Sequence, residues 1–138
     1  MDETFKGNFT QQLPLPAEAV AAAVRVMESG RLHRYNVAQG ESSEAELLEA
    51  EFAAWLGTRY ALALASGGAA MAVALRASGV GSGDPVLSNA FTLAPVPGAI
   101  AAAGGRPVFV GVTEALTIDL SDLERKIATT GARTCLLY

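Results

Sequence analysis

From Tyr60 onward, apolar runs of strand length alternate with segments whose apolar residues recur at helical spacing, and this alternation constrains the fold more than any other property of the chain. A strand, a helix and a further strand close as a β-α-β unit, with the two strands parallel and the helix across one face. Successive units of this kind imply an α/β architecture: a mostly parallel sheet with flanking helices. The strands are expected at 60–65, 85–88, 107–110 and 133–138. Helices are expected at 68–78 and near 97–103. A third is opened by Ser121 and Glu124 as an S-x-x-E capping box and ends near Ala128. Thr113 to Thr117 reads as a turn.

The first part of the chain has a different texture. Residues 1–15 are polar, dotted with aromatics and without a period, and are read as an arm. Pro16 fits the first turn of a helix running to about Ser29, and Gly30 closes it. Residues 31–40 form a loop. Ser43 and Glu46 make a capping box for a second helix, in which Leu47, Leu48, Phe52 and Trp55 share a face and Gly57 is the stop. The organisation is therefore an arm at 1–15, a helical segment at 16–58 and an α/β domain at 59–138, expected to be incomplete because it stops on an apolar strand.

Composition narrows the partners. At 51% hydrophobic and 17% charged residues, the 138-residue chain can bury a core of its own. A net charge of −4 argues against nucleic acid and anionic membranes, which both need a basic face. No apolar run approaches the roughly 20 residues of a membrane span. The start, Met1 to Lys6, lacks the pattern of a signal peptide, and one cysteine suits a reducing cytoplasm. That residue, Cys135, is expected to be a buried structural thiol in the last strand. No Cys, His and carboxylate set has metal-ligand spacing, so no metal site is expected.

The chemistry concentrates at Ser66-Gly67-Gly68-Ala69-Ala70, between the run at 60–65 and the helix after it. A strand that turns through small residues into a helix aims unpaired N–H groups and the positive end of the helix dipole at one point, which suits a phosphate. The segment is neither a Walker A loop nor a G-x-G-x-x-G fingerprint. On pattern alone an anion site and a turn packed for its own sake both remain open. The G-x-G-x-G of Gly79 to Gly83 lies between a helix and a strand, where it is a cap and a turn. A second candidate is Asn89 to Leu93, just past the carboxyl end of strand 85–88, where ligands bind in open α/β sheets. There Phe91 can flank an aromatic ligand while Thr92 or Asn89 hydrogen-bonds it, or Phe91 can be ordinary core. His33, Arg34 and Tyr35 cluster in the 31–40 loop, a setting usual for solvated surface.

Taken in order, these segments resemble the DegT/DnrJ/EryC1/StrS sugar aminotransferases, pyridoxal-phosphate (PLP) enzymes of fold type I. Tyr60 to Ala70 is similar to the family's segment ending SGTAAL, Gly79 to Val86 to GIGPGDEV, Asn89 to Ala103 to PAFTFIATANAI, and Gly104 to Val110 to GAKPVFV. Thr117-Ile118-Asp119-Leu120, followed by Leu123 and Glu124, is similar to its T-IDP--LE stretch. The resemblance runs from about Ala17 to Tyr138 and identifies the chain with the N-terminal portion of the large PLP-binding domain. It implies that the N–H groups of Gly68 and Ala69, with Gly67 beside them, hold the PLP phosphate. It further implies that Leu93 covers one face of the pyridine ring, next to Phe91. Two positions depart from the family pattern: Leu93 stands where an aromatic residue is usual, and Gly68 where Thr or Ser is.

The resemblance also carries an activity: transfer of an amino group from an amino-acid donor, glutamate or glutamine, to a keto-sugar, usually nucleotide-linked, by a homodimer in the cytoplasm. His33, Arg34 and Tyr35 are the candidate substrate contacts. The family's cofactor-bonding lysine lies beyond position 138, so no residue of this chain is expected to be catalytic. Two alternatives are a PLP-dependent sugar dehydratase of the same fold and a non-catalytic, truncated or regulatory relative.

Overall fold

A computed structural model describes residues 7–8 and 10–137. The first six residues of the expected arm, Phe9, and Tyr138 at the end of the expected last strand lie outside the described residues. The chain divides into two compact units between Ala61 and Leu62.

The first unit carries two helices. Helix α1 spans Ala17–Ser29, and Pro16 sits one position before it as the N-cap residue, its carbonyl accepting from the N–H groups of Ala19 and Val20. Gly30 ends α1 in the left-handed conformation at φ 69°. Helix α2 spans Glu44–Leu56 and is opened by the expected capping box. The Glu46 N–H donates to Ser43 Oγ (3.2 Å) and the Ser43 N–H to Glu46 Oε2 (2.9 Å). At the other end Gly57 and Thr58 donate to the carbonyls of Ala54 and Ala53, which satisfies the last turn. The intervening loop is tied by ion pairs, Arg31 to Glu41 and Arg34 to Glu49. The shared face of α2 is uncovered, with Trp55 78% exposed against Phe52.

The second unit is built on a parallel sheet. Its elements run α3 (Gly67–Ala77), β1 (Pro85–Asn89), α4 (Pro95–Ala102), β2 (Arg106–Val110), α5 (Leu120–Thr130) and β3 (Thr134–Leu136), with strand order β2-β1-β3. β1 is the middle strand, pairing Leu87 with Val108 on one side and with Cys135 on the other. Because successive side chains of a strand point to opposite faces, β1 serves two layers. Val86 packs with Leu75, Val80, Ile100 and Ala103 under α3 and α4, while Leu87 packs with Val110 and Ala132 on the side of α5.

Three expectations are corrected here. No strand forms over 60–65: among the described residues β1, β2 and β3 pair with one another and none of them pairs with this segment. Helix α5 is not capped by Ser121. Asp119, two residues earlier, accepts from the N–H groups of both Ser121 (2.9 Å) and Asp122 (3.1 Å), which places Ser121 inside the helix, and the helix runs on to Thr130. Cys135 is exposed rather than buried, because β3 is an edge strand with incomplete cover. The partial burial it has still raises its thiol pKa.

Two close approaches fix the unit. After α4, Gly104 at φ 96° reverses the chain, and a Cβ on Gly105 would meet Val80 Cγ1 at 3.0 Å and the Asp84 carbonyl at 3.2 Å. At the carboxyl end of β2, Asp122 Oδ2 accepts from the Gly111 N–H (2.8 Å) and from Lys126 Nζ (2.7 Å), while Arg125 donates to Oδ1. Lys126 also donates to the Phe109 carbonyl, so one carboxylate and one ammonium clamp α5 to β2. These hydrogen bonds, that of Lys126 foremost, lower the Asp122 pKa to about 2.

Gly105→Ala therefore forces the α4–β2 corner open. It is expected to destabilise the fold by about 1–3 kcal/mol in urea denaturation, the usual cost of overpacking. Asp122 contributes stability that is full above its unfolded pKa near 3.8 and lost as pH falls toward about 2. Asp122→Asn should accordingly lower the urea midpoint at pH 7 and flatten its decline between pH 4 and pH 2, relative to the unmutated chain.

Candidate functional site

The glycine turn becomes the first turn of α3. Ser66 is its N-cap in extended conformation, and Ser66 Oγ accepts the Ala69 N–H at 3.1 Å. The Ala70 N–H donates to the Ser66 carbonyl. Among the described residues, the N–H groups of Gly67 and Gly68 donate to nothing and face outward at the positive end of the helix. Ser66 as the cap lies outside the sequence expectations, although a serine three residues before the N–H it accepts is the signal for one.

The loop after β1 reaches the same corner. The Ala90 N–H extends the ladder to the Val110 carbonyl (2.8 Å), and Asn89 Nδ2 donates to the Phe91 carbonyl, fixing the turn. Leu93 then opens the first turn of α4, its carbonyl accepting from Val96 at 2.9 Å. That turn lies against α3: a Cβ on Gly68 would stand 3.8 Å from Pro95 Cβ and 3.9 Å from Ser66 Oγ. These are ordinary contacts, so the corner has room for a larger residue at position 68.

Two side chains expected near a ligand are open to it. Phe91 is 64% exposed and Leu93 55%, so neither belongs to the core. Thr92 between them is half-buried, and its Oγ1 is shielded from solvent without a hydrogen-bond partner. Ser88 Oγ, on β1, is likewise unpartnered.

His33, Arg34 and Tyr35 belong to the other unit. The rings of His33 and Tyr35 stack at 5.2 Å with an interplanar angle of 3°. Arg34 Nη2 donates to Glu49 Oε2 at 2.8 Å, and this bond raises the guanidinium pKa. A hollow of about 400 Å3 lies at the carboxyl ends of β1 and β3, lined by Asn89, Leu116, Thr117, Ile118 and Leu137. A larger one of about 460 Å3 lies at the opposite, amino end of the sheet beside Arg133 and Asp84. Among the described residues no group of His, Cys, Asp and Glu is arranged to hold a metal ion, and no helix is long and apolar enough to cross a membrane.

A parallel α/β unit with an open, serine-capped helix N-terminus at the carboxyl side of its central strand is the frame of a phosphate-bearing cofactor site. The chain belongs to the DegT/DnrJ/EryC1/StrS aminotransferase family, whose model matches residues 16–134. Over 83 residues it is 37% identical to a pleiotropic regulatory protein of Geobacillus stearothermophilus, covering 60% of this chain and 22% of that one. Over 94 residues it is 40% identical to the dTDP-3-amino-3,4,6-trideoxy-alpha-D-glucose transaminase of Streptomyces venezuelae, covering 68% and 23%. Its fold matches the PLP-form of a putative sugar aminotransferase, Spr1654, from Streptococcus pneumoniae at a TM-score of 0.74 and 22% identity, covering 90% of this chain and 30% of that one. The chain thus spans less than a quarter of the length of these two curated relatives.

Family membership implies pyridoxal phosphate as the cofactor. The corner fits its phosphate on two observations: two free N–H groups at the N-terminus of α3, and an orphaned hydroxyl on the adjoining loop.

Proposed function

We propose that the protein carrying this chain is a PLP-dependent aminotransferase that moves an amino group from glutamate or glutamine to a nucleotide-linked keto-sugar. The single observation that carries the reading is the pair of unpartnered N–H groups on Gly67 and Gly68, in a chain matched along 16–134 by the aminotransferase family. The transaminase relative that acts on a dTDP-linked sugar supports the substrate class.

Bound PLP supplies the electron sink that weakens bonds at the Cα of an amino acid. The chain's part is to hold and orient it. Gly67 and Gly68 would donate their N–H groups to the phosphate, and the Ala69 N–H would join them if the Ser66 side chain rotated away from it. The dipole of α3 favours the negative charge. Leu93 offers an apolar surface to one ring face without the stacking an aromatic residue gives, and Phe91 flanks the same space. His33, Arg34 and Tyr35 are proposed for the sugar substrate, with Arg34 held in place by Glu49. Among the described residues Lys126 is committed to Asp122 and Phe109, and the lysine that would bond the cofactor is proposed to lie beyond position 138. The active protein is proposed to be a cytoplasmic homodimer.

A second reading, a regulatory relative without transfer activity, is favoured by the name of the Geobacillus protein and by the departures at Leu93 and Gly68. The two separate cleanly. With purified, folded protein, the transferase reading expects a visible absorbance band on PLP addition, its loss on borohydride reduction, and glutamate-dependent amination of a keto-sugar nucleotide. Cofactor binding without amination or dehydration of any sugar nucleotide sinks that reading in favour of the regulatory one.

The room at Gly68 gives a further expectation. Gly68→Ser adds a hydroxyl to the first turn of α3 at ordinary contact distances. It should tighten PLP binding by about tenfold, the low end of what one hydrogen bond to a charged group contributes, in a fluorescence titration. Pyridoxal, which lacks the phosphate, should bind as before.

A further inference from the structure

We infer that the Thr92 hydroxyl is the side-chain donor of the cofactor-phosphate cradle, standing in for the hydroxyl that Gly68 does not supply. The inference rests on the PLP reading and concerns this chain's own departure from the family pattern. A hydroxyl oxygen shielded from solvent and left without a partner is uncommon, because its lost bond to water goes uncompensated. Thr92 Oγ1 is in that state, and so is Ser88 Oγ. The two differ in place. Ser88 is 0% exposed as the fourth of the five residues of β1, paired with Leu136 and Phe109 and on the face that Val86 shares, which packs under α3 and α4.

Thr92 is half-buried on the loop that enters α4, three residues before Pro95. Pro95 is the residue a Cβ on Gly68 would touch, so the loop adjoins the turn whose N–H groups are open. The neighbouring bond from Asn89 Nδ2 to the Phe91 carbonyl holds that loop while leaving the Thr92 side chain untied. One staggered step of χ1 exchanges Oγ1 with Cγ2. No hydrogen bond opposes the step, so an anion held by Gly67 and Gly68 can draw the hydroxyl to itself.

The test uses the intact protein, titrated with PLP and with pyridoxal, in the unmutated form and as Thr92→Val, Thr92→Ser and the double variant Gly68→Ser/Thr92→Val. Thr92→Val should bind PLP about tenfold more weakly while binding pyridoxal unchanged, as expected for one lost hydrogen bond to an anion. Thr92→Ser should keep the affinity, and the added Gly68→Ser should restore it to the valine variant. Without cofactor, Thr92→Val should melt no lower than the unmutated protein, since its hydroxyl has no internal partner to lose. Equal weakening toward PLP and pyridoxal, unchanged PLP binding, or a lowered melting temperature of the apo variant would each overturn the assignment. Failure of the unmutated protein to bind PLP would instead overturn the cofactor reading beneath it.

Discussion

The second unit depends on burying β1 on both faces at once. Val86 and Leu87 are adjacent in sequence, yet each is the centre of a separate apolar cluster, one under α3 and α4 and one on the side of α5. The parallel pairing with β2 and β3 satisfies the backbone between them, so a strand with no solvent face loses no hydrogen bonds. This arrangement ties the helices to the sheet and fixes where their ends fall. The Gly104–Gly105 corner and the Asp122–Lys126 clamp then close the space around β2.

The same strand places the candidate site. β1 ends at Asn89, and the chain leaving it turns through Phe91, Thr92 and Leu93 into α4, whose first turn meets the first turn of α3. Two helix N-termini therefore converge beside the carboxyl end of the central strand, on the side where open α/β sheets take ligands. Ser66 satisfies one N–H of α3 and leaves those of Gly67 and Gly68 available. Small residues there are needed for space and donors rather than for backbone strain, since neither glycine adopts a positive φ.

Much of this was legible in the residue order. The helices, the strands at 85–88 and 107–110, the capping box at Ser43 and Glu46, and the glycine stops at 30 and 57 follow from local periodicity and cap chemistry, which act within one or two turns. The misreadings share a cause. Residues 60–65 carry a strand pattern, but a strand exists only where another strand pairs with it. Cys135 sits in an apolar run, yet burial depends on what covers an edge strand. At α5 two cap motifs compete, and the earlier one, Asp119, takes the Ser121 N–H that a Ser121–Glu124 box would have given to the Glu124 side chain.

The sequence by itself determined the α/β alternation, the position of the glycine turn and its likeness to a sugar aminotransferase, because these rest on neighbours along the chain. Only the tertiary structure decided that Ser66 caps α3, that Pro95 stands against Gly68, and that the hydroxyl of Thr92 is left without a partner. Those facts join residues that are near in space through the packing of two helices on one strand. The glycine turn is thereby defined as a corner with two open backbone donors and one uncommitted hydroxyl, a distinction that local periodicity does not encode.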